Sequence, residues 1–123
     1  MATTAVSLTP TPAQASGSTC TRAAFGDLCA FYRINYGGSR TGFWECGNAD
    51  YLNPWVGFQS AGDGQHNAVG NNAGSFRNDD LAGGVRVYEH ANWTGRSDHW
   101  APGAGSGNSN FVTRNNNRSH LCD

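Results

Sequence analysis

The chain has 123 residues, 37% of them hydrophobic and 14% charged, with a formal net charge of −1 and no lysine. That length supports one domain, or two very small halves sharing a core. Arginines scattered singly make no concentrated basic face for nucleic acid, the lack of lysine excludes Schiff-base chemistry, and no apolar run approaches membrane-spanning length.

Residues 1–15 are rich in Ala, Thr, Ser and Pro and close with Ala13-Gln14-Ala15. This small-x-small ending is what a signal peptidase reads, although the apolar stretch that should precede it is absent. Residues 1–19 are therefore expected to be a disordered leader or a signal-peptide remnant, followed by a single domain over 20–123. Leu28-Cys29-Ala30-Phe31-Tyr32 suits a strand, Asn35-Tyr36-Gly37-Gly38 a turn, and Thr41 to Cys46 the return strand. Residues 47–70, with Pro54 beside Trp55 and five glycines, read as an insertion, after which Ser75 to Arg77 forms a last strand. Val85 to His90 alternates with strand periodicity, Asn92 to Gly95 turns, and Arg96 to Trp100 returns. Ala101–Asn110 is a loop of small residues, and Asn110 to Thr113 and Ser119 to Cys122 are the closing strands. The result is all-β, about eight short strands in a two-sheet sandwich.

Two phrases recur in the same order. Phe31-x4-Tyr36-x-Gly38 and Tyr88-x4-Trp93-x-Gly95 are each trailed by an Asn-Asn-x-x-Ser run, Asn71 to Ser75 and Asn115 to Ser119. This is the mark of a duplicated supersecondary unit. In each copy the glycine allows a hairpin to fold down onto its sheet.

Cys20, Cys29, Cys46 and Cys122 are even in number and contain no Cys-x2-Cys pair, so two disulfides in an extracellular domain fit better than a zinc site. Three pairings are possible on the sequence.

These residues resemble a βγ-crystallin domain, with two Greek keys each opened by aromatic-x4-aromatic-x-Gly. The resemblance covers about Asp27 to Cys122, with key 1 over 27–78 and key 2 over 84–122. In calcium-binding members each key carries Asn/Asp-Asn/Asp-x-x-Ser/Thr-Ser, and here Phe76 and His120 replace the final serine. A further similarity is to secreted actinobacterial proteins grouped with the Streptomyces metalloproteinase inhibitor. It rests on Cys20…Gly26-Asp27-Leu28-Cys29, Ser75-x2-Asn78 and Val87-Tyr88-Glu89-His90-Ala91-Asn92. That likeness implies Cys20–Cys29 and Cys46–Cys122 pairing. It also implies a secreted, monomeric peptidase inhibitor with an extracellular protease as partner. The short-loop disulfide that braces the reactive bond of that inhibitor type has no counterpart between Cys46 and Cys122.

Calcium takes hard oxygen ligands, which Asn71, Asn72 and Ser75 and also Asn115, Asn116 and Ser119 could supply. The resemblance adds a backbone carbonyl from each hairpin, near Ile34 or Ala91. With no carboxylate among them, affinity is expected in the range of about 10⁻⁴–10⁻³ M. Phe31, Tyr36, Tyr88 and Trp93 are expected as core and corner residues. Pro54, Trp55, Phe58 and Trp100 lie beside loops and are the candidate partner contacts; the candidate loops are Asn48–Gly64, stiffened by Pro54, and the more flexible Ala101–Asn110. Enzymatic chemistry finds no motif: Glu89-His90 and Asp98-His99 are strand neighbours facing opposite ways, and all four histidines read as surface or turn residues. The competing functional classes are a calcium-responsive structural module and a killer-toxin-like antimicrobial protein.

Overall fold

The computed structural model describes residues 16–106 and 111–123. The leader over residues 1–15 and positions 107–110 of the small-residue loop lie outside the described residues. Among the described residues the chain forms nine strands and no helix. They are β1 (Ser16–Gly17), β2 (Leu28–Phe31), β3 (Arg40–Phe43), β4 (Gly47–Asn48), β5 (Ser75–Asn78), β6 (Val85–His90), β7 (Thr94–Trp100), β8 (Gly105–Ser106) and β9 (Ser119–Cys122).

Sheet 1 has the order β1-β3-β2-β5-β8 and sheet 2 the order β4-β9-β6-β7. The third strand of each Greek key leaves its own key for the other sheet. Gly47 and Asn48 pair with Leu121 and His120 of β9, and Gly105 and Ser106 pair with Arg77 and Phe76 of β5. Because of this exchange neither key completes its sheet alone, and the two close as a single body. The register repeats as well: Phe31 lies opposite Ser75 in key 1, and Tyr88 opposite Ser119 in key 2.

Strand parity explains the core. Leu28, Ala30, Phe43, Phe76, Val85, Val87 and Trp100 point between the sheets, and the long connection after β4 adds Tyr51, Val56, Phe58, Val69 and Ala73. That connection closes one end of the sandwich, so its apolar residues belong to the main core and are not an appendage. The segment before β2 covers the outer face of sheet 1. A Cβ on Gly42 would overlap the Thr19 carbonyl oxygen, which is why this position of β3 carries no side chain. Cys20–Cys29 ties that segment to β2, and Cys46–Cys122 ties the two keys, with Cα separations of 5.7 and 5.1 Å.

Several boundaries differ from the sequence reading. The expected leader runs through residue 19, but Ser16 and Gly17 add an edge strand to β3. The return strand of the first hairpin is Arg40–Phe43, ending before Trp44. The expected insertion spans 47–70, yet its first two residues are β4. Gly105 and Ser106 are β8 within the expected loop, and Phe111 to Arg114 form a turn where a strand was expected. Both third strands are two residues long and carry no hydrophobic alternation, which leaves them no sequence signal.

Candidate functional site

The two hairpin corners are built alike. Asn35 and Tyr36 have φ of 56° and 60°, Asn92 and Trp93 have 60° and 57°, and Gly38 and Gly95 have 75° and 84°. Left-handed geometry at two successive non-glycine residues is uncommon and needs tertiary support. A serine supplies it in each key. Ser75 Oγ accepts from the Tyr36 N–H at 3.1 Å and donates to the Arg33 carbonyl at 2.7 Å, and Ser119 Oγ does the same with Trp93 N–H at 3.2 Å and the His90 carbonyl at 2.6 Å. The serines of the two runs thus pin the hairpins.

The runs also lock onto each other. The Asn71 N–H donates to the Asn117 carbonyl at 2.7 Å, and the Asn115 N–H donates to the Ala73 carbonyl at 2.9 Å. This reciprocal pair lies between the keys, with Asn71 and Asn115 both left-handed at φ of 65° and 52°. Buried Asn117 reinforces it, donating from Nδ2 to the Ala73 and Thr113 carbonyls at 3.0 and 2.7 Å.

Around each hairpin the lining chemistry is different. Beside hairpin 1 a cleft of about 660 Å³ is lined by Tyr32, Arg33, Ile34, Gly37, Asn72, Gly74, Arg114 and Asn115. It brings together three of the expected ion-site residues, Ile34, Asn72 and Asn115, and sets two arginines among them. At hairpin 2 the residue matching Tyr32 is Glu89, and the residue matching Arg114 before the other run is Gly70. The Glu89 carboxylate accepts from Asn116 Nδ2 at 3.1 Å and from the backbone N–H of Arg96 at 3.0 Å. That backbone bond, together with the Arg96 guanidinium, holds its carboxyl below the usual range. Hairpin 2 therefore carries a carboxylate, paired with the Arg96 guanidinium, beside Asn116. Hairpin 1 instead has the guanidinium groups of Arg33 and Arg114 in its wall. Glu89 lies outside the Asn-Asn-x-x-Ser runs and directly follows Tyr88.

The expected partner residues divide. Phe58 is 1% exposed and Trp100 is 6% exposed, so both are core residues and not partner contacts. Trp100 pairs across the strands with Val85 and shares its inward face, and Phe58 sits edge-on to Tyr32 at 5.6 Å. Trp55 is different. It is 58% exposed, follows the cis peptide Asn53–Pro54, and its ring lies over Gly57, where any Cβ would collide with it. The tip Asn53-Pro54-Trp55 stands between buried Tyr51 and Val56, which are bonded by Val56 N–H to the Tyr51 carbonyl at 2.8 Å.

His120 also departs from the surface reading. It is fully buried, faces inward beside Val87, and its Nδ1 lies 2.8 Å from the Tyr51 hydroxyl. Desolvation pushes its pKa down to about 4. Tyr36 and Trp93 are corner residues left 37% and 40% exposed; Tyr36 packs edge-on against Phe31 at 5.3 Å, and Trp93 Nε1 donates to the His120 carbonyl at 2.7 Å.

No family model matches the chain, and no curated protein matches it. Solved structures do. A βγ-crystallin from Ciona intestinalis aligns with a TM-score of 0.58 at 16% identity, over 80% of this chain and 100% of that chain. A structure concerned with the evolution of the eye-lens βγ-crystallin domain fold aligns with a TM-score of 0.62 at 9% identity, over 88% of this chain and 94% of that chain. The fold is that of a βγ-crystallin domain: all-β, two Greek keys, with two disulfides.

Proposed function

We propose that the chain is an extracellular, non-enzymatic binding module whose partner contact is the Trp55 tip, and that the partner is a secreted peptidase. The carrying observation is an indole more than half exposed on a turn whose two ends are buried in the core. A rigid aromatic loses little conformational freedom on binding, which is what makes such residues dominate interfaces. The inhibitor type resembled in sequence braces its reactive loop with a disulfide; here burial of Tyr51 and Val56 serves that end. Asp98 and the two run serines have structural duties. Asp98 accepts from Val112 N–H, Thr113 N–H and the Thr113 hydroxyl, and Ser75 and Ser119 hold the hairpins. Two disulfides are in keeping with an oxidising compartment.

Inhibition assays against metallo-, serine and cysteine peptidases test this. At least one class should be inhibited at micromolar protein, and Trp55→Ala should weaken that inhibition about 30-fold or more, the loss typical of a hot-spot anchor. Absence of inhibition throughout removes the peptidase reading; inhibition untouched by Trp55→Ala removes the tip.

A second reading, favoured by the Glu89–Asn116 contact, is a structural calcium ion at hairpin 2. Bound there, calcium would draw hairpin 2 and the Asn115–Ser119 run together and add to native stability. With affinity near a millimolar, ten-millimolar calcium should raise stability by about 1.4 kcal/mol, a rise in Tm of roughly 5 °C over chelator. The rise should disappear in Glu89→Gln. Superimposable melts with calcium and with chelator would rule the ion out.

A further inference from the structure

We propose that the cleft beside hairpin 1 binds a small organic carboxylate with an apolar body, and that Arg114 is its counter-ion. Three observations converge on that ligand class. First, Arg114 lines the cleft, is exposed, and forms no ion pair or hydrogen bond with any described residue. All nine acidic side chains lie among the described residues, so residues 1–15 and 107–110 hold none to neutralise it. Second, the other arginine in the wall, Arg33, already has its anion in Asp63 at the rim. One uncompensated guanidinium favours a monoanion, and its planar fork matches a carboxylate in two parallel hydrogen bonds.

Third, the remaining walls suit an apolar body with few polar contacts. Tyr32 is fixed edge-on to Phe58 and pressed onto Gly64, where a Cβ would strike its ring. Ile34 is 40% exposed beside it. Asn72 gives one amide hydrogen to the Ala68 carbonyl at 2.9 Å, and Asn115 adds a second side-chain amide to the wall. The contrast between the keys sharpens the argument. Where the cleft has Tyr32 and Arg114, the matching sequence positions in the other repeat are Glu89 and Gly70, so the two hairpins differ in charge.

Titrations of the ¹⁵N-labelled protein with sodium benzoate and with neutral benzamide, both in the presence of chelator, test the proposal. Benzoate should give saturable shifts centred on the amides of Ile34, Gly37, Asn72, Gly74 and Asn115. Benzamide should bind about tenfold or more weakly, the loss of one charge-assisted bond. Arg114→Gln should lose affinity by a similar factor, whereas Arg40→Gln, an exposed arginine on β3 outside the cleft, should not. Equal binding of benzamide, full affinity in Arg114→Gln, shifts centred elsewhere, or no saturable shift would each overturn the assignment. These readouts need neither a peptidase nor calcium, so they stand apart from the proposed function.

Discussion

Replacing Cys46 and Cys122 together by alanine is expected to cost about 4–5 kcal/mol, against about 2–3 kcal/mol for the Cys20/Cys29 pair, by the loop-entropy relation. The two bridges close loops of very different length, with sequence separations of 76 and 9. Both double variants lose the same side-chain atoms, so their difference isolates the cross-link. The longer bridge also does more in the native state. It joins the lead into β4 to the end of β9, beside the bond from the Cys122 N–H to the Cys46 carbonyl at 2.7 Å, and thereby clamps one key to the other. A loss near 5 kcal/mol reaches the lower end of the stability expected for a domain, so this variant should be largely unfolded near body temperature. Urea unfolding of the two variants is the measurement. Equal or reversed costs would show that the keys hold together without the staple.

Acidification is the second large effect. His120 titrates near 4 in the native protein and near 6.5 when unfolded. Above 6.5 neither state holds the extra proton, and the histidine has no influence on the pH dependence. As pH falls below 6.5 the unfolded chain takes up a proton that the native state refuses, so stability drops. The loss approaches about 1.4 kcal/mol per pH unit and totals about 3 kcal/mol by pH 4. Protonation would also end the acceptance of a hydrogen bond by Nδ1 from the Tyr51 hydroxyl, at the base of the Trp55 tip. Burial raises the carboxyls of Asp27 and Glu45, which therefore bind protons more readily in the native state and oppose this slope near their own pKa values. Comparison with His120→Phe removes that background. The variant leaves the Tyr51 hydroxyl without its partner at every pH, so its absolute stability falls, but its slope between pH 6.5 and 4 should be shallower than the wild type's. Identical slopes would refute the assignment.

How much of the site was legible varies with how local its cause is. The hairpin corners were readable because glycine and asparagine at left-handed positions are a property of the residue itself. The placement of His120 and Trp100 followed from cross-strand partners, Val87 and Val85, and needed a register that the motif alone did not supply. Parity offered one clue, since Ser119 serves the corner and the next residue must face the other way. Tyr51 and Phe58 could not be placed in advance. They lie in a connection without periodicity, and their burial comes from closing the end of a sandwich whose two sheets are made by distant segments.

Local chemistry and repetition were enough to establish the class of architecture. A doubled aromatic-glycine hairpin, alternating strands and turn-rich spacers admit few folds other than paired Greek keys, because each feature acts over a handful of neighbouring residues. Charge placement around the two hairpins, the exchange of β4 and β8 between sheets, and the sorting of tryptophans into core and surface came from long-range packing. Those outcomes depend on which segments meet in space, and two-residue strands and single side chains such as Arg114, Glu89 and Trp55 carry no local pattern from which that meeting can be computed.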